Sequence, residues 1–131
     1  MDKCLSLIRN VILQVWCLEL SKGVKMRILR FIANGQMLEP DPECDFTGLV
    51  SGTSGYLHAE FDFNNDWIGC RVAASFFSLD KEYPAIVENC RCEIPAEALS
   101  FRDFYVQLTG IRDGYKITTN RQIVRQRRPG E

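Results

Sequence analysis

Six cysteines, a single histidine and a few carboxylates near turns are the side chains in this 131-residue sequence that could do chemistry. The cysteines are Cys4, Cys17, Cys44, Cys70, Cys90 and Cys92. Cys90 and Cys92, two residues apart, would place both sulfurs on one side of an extended strand. A zinc site wants a second such pair or adjacent histidines, and His58 is the sole histidine. A chain of this size buries enough surface to fold without metal or disulfide staples. The thiols are therefore expected to be reduced, with Cys70, Cys90 and Cys92 pointing inward as small hydrophobes, and no cofactor is expected. Asp62, Asp66, Asp80 and Glu82 sit near turn-formers. Paired carboxylates can do acid–base work or hold calcium. However, Asp62 and Asp66 lack the ligand rhythm of a calcium loop, and carboxylates at turns are ordinarily solvated caps. His58 falls on the polar side of its strand. No Ser or Cys has a nucleophile's context. The expectation is a protein that is not an enzyme, with no catalytic residue and no metal ligand.

Binding is the remaining kind of work. Arg121, Arg125, Arg127 and Arg128 form the one basic cluster and are the candidates for contact with an anion. The competing view is a solvated terminal tail. Trp67 follows a turn and either caps the core or anchors an interface. Tyr56, His58 and Tyr105 complete the set of candidate interface residues. The formal net charge of −1 gives no global pull towards nucleic acid or anionic lipid. Hydrophobic content of 46% with 25% charged residues excludes a disordered chain.

The elements that must position these residues are strands. From 56 to 63, Leu57, Ala59, Phe61 and Phe63 alternate with His58, Glu60 and Asp62, the period of a strand with one buried side. Asn64, Asn65 and Asp66 break the run with turn chemistry. Over 68–77, Cys70, Val72, Ala74 and Phe76 resume the alternation, so the simplest object is a hairpin with its apolar sides together. A lone hairpin is marginal in water, so other strands must flank it. The patterning puts these at 26–33, 46–50, 83–88, 89–94, 104–110, 115–119 and 121–124, the last two also readable as a single kinked strand. Asn34-Gly35 and Asp113-Gly114 are hairpin-turn dipeptides. Glu39-Pro40-Asp41-Pro42 is a rigid connection, and 51–55 is a flexible loop without the ending of a phosphate-binding loop. Pro95 to Leu99 is the one helical turn in this stretch. No strand–helix alternation appears, which argues against a parallel sheet. The fold class is thus all-β, an antiparallel sandwich of seven or eight strands.

Residues 1–25 differ from the rest. Leu5, Ile8, Ile12, Val15 and Trp16 would make an apolar stripe on a helix. Their apolar run is too short to span a bilayer and no cleavage site follows it. Lys22-Gly23-Val24-Lys25-Met26 can also be encoded by a purine-rich, ribosome-binding type of run ahead of Met26. That makes Met26 a candidate start and residues 1–25 a translated leader. The division expected is an N-terminal extension at 1–25, a sandwich domain at 26–125, and a flexible basic tail at 126–131.

The order of segments from Met26 onward resembles a family. The residues that carry it are Gly55-Tyr56-Leu57-His58-Ala59-Glu60-Phe61-Asp62-Phe63, then Asn65-Asp66-Trp67 and the strand at 71–77. Cys92-Glu93-Ile94-Pro95-Ala96-Glu97-Ala98-Leu99, Phe104-Tyr105-Val106-Gln107-Leu108-Thr109-Gly110 and Thr118-Thr119-Asn120 follow in order. Together they resemble the immunoglobulin-like amino-terminal domain of the baseplate upper protein of tailed phages and prophages of Gram-positive bacteria, over roughly residues 26–125. The resemblance implies an immunoglobulin-like fold and a virion structural module, made in the bacterial cytoplasm. Its expected partners are other tail, baseplate, fibre or capsid proteins and further copies of itself, with no membrane. The resemblance implies no reaction. Two alternatives stand beside it. One is a carbohydrate-binding module for host attachment, with Trp67, Tyr83 and Tyr105 as sugar platforms. The other is a capsid decoration protein.

Overall fold

The computed structural model describes residues 26–130. The expected N-terminal helix or leader lies outside them. Among the described residues nine strands form two sheets: β1 (Arg27–Asn34), β2 (Met37–Pro40), β3 (Leu57–Phe63), β4 (Arg71–Ser78), β5 (Lys81–Val87), β6 (Arg91–Glu93), β7 (Asp103–Arg112), β8 (Tyr115–Thr118) and β9 (Gln122–Arg125). One sheet has the order β2-β1-β3-β6; the other runs β5-β4-β7, with β8 and β9 sharing the far side of β7. The all-β sandwich read from the alternation is the observed fold.

The core lies between the sheets. Leu29, Phe31, Ala33, Leu38, Leu57, Ala59 and Phe61 reach it from the first sheet, and Ala74, Phe76, Phe104, Val106 and Leu108 from the second. Phe31 stacks on Phe61 at 5.6 Å, and Phe76 meets Phe104 at 6.2 Å. Fully burying a side chain of this size stabilises the fold by roughly 1.5–3 kcal/mol.

The expected hairpin of residues 56–63 with 68–77 does not form. β3 pairs in parallel with β1 over seven residue pairs and antiparallel with β6, while β4 pairs with β5 and β7. The apolar sides do face each other, but across the core and from different sheets. The cause is the connection. Trp67, Ile68 and Cys70 donate backbone N–H bonds back to Asn64, Asn65 and Trp67, winding 64–70 through a 3-10 turn that carries the chain from one layer to the other. The parallel β1–β3 pair also departs from the all-antiparallel sheets of an immunoglobulin constant domain.

Smaller differences have local causes. β2 was not expected from the sequence. It forms because Gly35, at φ 61, lets the chain reverse in the two residues Gly35 and Gln36. The expected strand at 46–50 reduces to one bridge between Val50 and Arg127. Gly48 at φ 74 breaks the extension, and the Arg27 guanidinium takes the carbonyls of Asp45 and Thr47. Cys90 is not on a strand. It sits with Asn89 in a tight turn, at φ 63 and 54, between the reciprocally bonded Glu88 and Arg91. The helical turn lies at Ala98–Ser100. The tail is held at its start: Gln126 is buried, its amide donates to Phe101 O, and the Arg127 backbone bonds Leu49 and Ser51.

One flank of the sandwich is closed by a specific group, and the other ends in an edge strand interrupted by proline. β8 and β9 are one strand interrupted at Thr119–Arg121. The Thr119 hydroxyl accepts the Leu108 N–H there, and the kink swings Asn120 to the rim of β2. Asn120 accepts the Leu38 N–H at 2.7 Å and donates to the Leu38 carbonyl at 3.2 Å, so it occupies the rim as a strand would. Strand β5 is the outer strand of its sheet. Ser78 and Lys81 flank its two-residue turn, so the alternation of an antiparallel ladder points the backbone of Glu82, Pro84 and Ile86 away from β4. Pro84 falls where the missing N–H costs no bond within the sheet.

Candidate interaction surface

The two outward faces of the sandwich differ in chemistry. On the first sheet the cross-strand rows are charged. Arg30, Glu60 and Arg91 lie opposite one another on β1, β3 and β6. Glu60 is buried between them, 3.1 Å from the Arg91 guanidinium and 4.0 Å from that of Arg30. In the next row His58, half-buried, lies opposite Glu93. Glu60 thus answers the two arginines within the face.

The second sheet presents Glu82-Phe77-Tyr105-Ile123 as one row, Pro84-Ser75-Gln107 as the next, and Ile86-Ala73-Thr109-Thr118 as a third. The middle of this face is apolar or small and uncharged. Ile86 is 74% exposed and Tyr105 42%. Arg121 crosses the face with its guanidinium 3.8 Å above the Phe77 ring, and Glu82 is tied back to the Ser75 hydroxyl.

At one end of this face are two adjoining grooves. The first, about 710 Å³, is lined by Ser51, Phe101, Arg102 and Arg128 among others. The second, about 410 Å³, is lined by Phe77, Asp80, Glu82, Tyr105 and Arg121 among others. Leu79 and Asp103 line both, so they mark the junction. Leu79 is 66% exposed and stands at φ 49, with Asp80 at φ 64. The left-handed region costs a residue with a side chain roughly 1–2 kcal/mol, and an Asn-Gly pair would avoid that cost at a hairpin turn.

The candidate residues disperse among these features. Tyr105 and Arg121 come together in the second groove. Tyr56 is exposed just before β3, apart from them. Trp67 is no interface anchor. It is 4% exposed and lies between the sheets, its indole N–H donating to Gly35 O at 3.0 Å while its ring packs near Phe63 and over Gly110. Tyr83 packs half-buried against the core, so neither it nor Trp67 offers a sugar platform. The four arginines do not converge. Arg121 lies on Phe77, Arg125 stands 3.9 Å from Asp103, Arg127 is engaged through its backbone, and Arg128 lines the first groove. Ile86, Leu79 and Phe101 were not singled out from the sequence. Their signal was an apolar residue at an outward position of the alternation or beside a turn.

Among the described residues no three His, Cys, Asp or Glu side chains are grouped to hold a metal ion. Cys92 is buried, and desolvation pushes its thiol up to about 12. Asp45 is held below the usual carboxylate range by hydrogen bonds from the Thr47 hydroxyl and backbone N–H, with a smaller contribution from the charge of Arg27. Among the described residues no helix is long and apolar enough to cross a membrane. No known protein family and no curated protein matches this chain.

Proposed function

We propose that this chain is a non-enzymatic structural protein of a phage virion, a baseplate, tail or fibre adaptor that works through protein–protein contacts. The observation that carries the docking role is the difference between the two faces. The first sheet carries the paired Arg30, Glu60 and Arg91 cluster, whereas the second exposes Ile86 and Tyr105 among small, uncharged neighbours. A face of that kind loses water favourably against a matching surface. Repetition in a symmetric particle multiplies contacts that are individually weak. The virion assignment itself rests on the ordered segments of residues 26–125 that resemble the baseplate family.

Immunogold labelling of purified particles with an antibody to this chain tests the proposal. Labelling at the tail or baseplate is expected; labelling of the head would favour the decoration role instead. Particles that carry none of the chain would refute the assignment.

A further inference from the structure

The two grooves at the end of the second sheet carry unlike charge on either side of a shared centre formed by Leu79 and Asp103, whose carboxylate stands 3.9 Å from the Arg125 guanidinium of its own chain. Arg102 and Arg128 line the first groove, while Asp80 and Glu82 outnumber Arg121 in the second. Leu79 and Asp103 stand where they meet, with Phe101 exposed on one side and Tyr105 on the other. A twofold interface places the same patch on both partners, so each half must complement the other half of an identical molecule. This patch meets that condition. A twofold axis through the Leu79–Asp103 junction would set each copy's arginines against the other's carboxylates, with Leu79, Phe101 and Tyr105 enclosed at the centre.

We infer that the occupant of this end surface is a second copy of the same chain, giving a twofold dimer held by Leu79 and Phe101 and registered by Arg102 and Arg128 against Asp80 and Glu82. The exposed Leu79 supports this. The hairpin turn alone would be better served by Asn or Gly, so the leucine stands there at the expense of local backbone strain. The dimer rests on the docking role proposed above and gives it a specific partner. It does not depend on the virion assignment.

Sedimentation velocity on the full chain, over a concentration series up to about 0.5 mM, reads the dimer directly. Dissociation is expected to become at least roughly fivefold easier between about 0.05 M and 0.5 M salt, because rim charges are screened. Two charge-reversed variants, Asp80→Arg with Glu82→Arg and Arg102→Glu with Arg128→Glu, are each expected to be monomeric. Mixed one to one, they are expected to recover a dimer containing one of each. Leu79→Asn keeps a residue that tolerates the turn and is expected to weaken dimerisation at least tenfold while the thermal midpoint does not fall, which separates lost contact from lost fold. A wild-type chain that stays monomeric throughout overturns the inference. So does a dimer that survives both reversals, or a mixture that remains monomeric. Failure here leaves virion labelling untouched, and failure of labelling leaves the dimer standing.

Discussion

Adding one methyl group at Gly110 tests how the two sheets are fastened. A Cβ there would lie 2.8 Å from Cε3 and Cζ3 of Trp67 and 3.2 Å from the Cys70 Cβ. Carbon atoms prefer separations of roughly 3.5–4 Å, so the indole must retreat. Its retreat is opposed by the Gly35 carbonyl that holds its N–H and by the neighbouring Phe63 ring. Overpacking of this kind costs roughly 1–3 kcal/mol. Alanine recovers roughly 0.5–1 kcal/mol over glycine within a strand. Gly110→Ala should therefore destabilise the fold by roughly 1 kcal/mol at mid-range and at most about 2.5 kcal/mol, each 1 kcal/mol lowering the thermal midpoint by roughly 4–8 °C for a domain near this size. Trp67→Phe lacks the two clashing atoms and also leaves the Gly35 carbonyl unpaired. It should cost roughly 2–3 kcal/mol alone. In the double variant the methyl group occupies vacated space, so the two costs should fall short of additivity by at least about 1 kcal/mol. Urea unfolding followed by far-ultraviolet circular dichroism measures all four proteins. A neutral Gly110→Ala, or strictly additive costs, would refute Trp67 as the wedge between the layers.

Three further perturbations read other parts of the structure. Asn120→Ala strips both partners from Leu38 and should cost roughly 1–3 kcal/mol, with faster hydrogen exchange at the Leu38 amide as its local sign. The raised Cys92 thiol stays protonated in the fold while its unfolded counterpart ionises near the ordinary thiol value of 9.0. The unfolded chain then binds fewer protons, so the contribution to stability is complete below about pH 9 and is lost as pH rises towards about 12. Cys92→Ala should flatten that alkaline decline in urea-unfolding stability, and the native thiol should resist alkylation at pH 8 until the chain is unfolded. Replacing Leu79-Asp80 with Asn-Gly should raise stability by roughly 1 kcal/mol, measured in dilute solution where any self-association is negligible.

The alternation in the sequence determined which side of each strand faces inward, and the core matches it: Leu57, Ala59 and Phe61 against Ala74 and Phe76. It could not determine pairing. Period two describes a strand's own faces and is indifferent to which neighbour supplies the ladder, so β3 and β4 read as a hairpin although they belong to opposite layers. The turns divided in the same way. Asn34-Gly35 and Asp113-Gly114 announced themselves, with the first loop one residue later than expected, at Gly35-Gln36. Leu79-Asp80 and Asn89-Cys90 reverse the chain without a glycine, and so Cys90 was assigned to a strand. Trp67 remained ambiguous because its partner, the small Gly110, lies more than forty residues away. The candidate surface was less legible still. Tyr105 and Arg121 were singled out, but their meeting depends on the kink at Thr119–Arg121, which a local pattern does not encode.

The proline in β5 has a consequence for how two such chains could meet edge to edge. Of the three residues whose backbone faces outward along that margin, Pro84 contributes an oxygen but no hydrogen, at the middle of the row. A copy approaching side by side and centred there would find its central bonds missing on both molecules. Strand addition centred on this margin is thereby disfavoured.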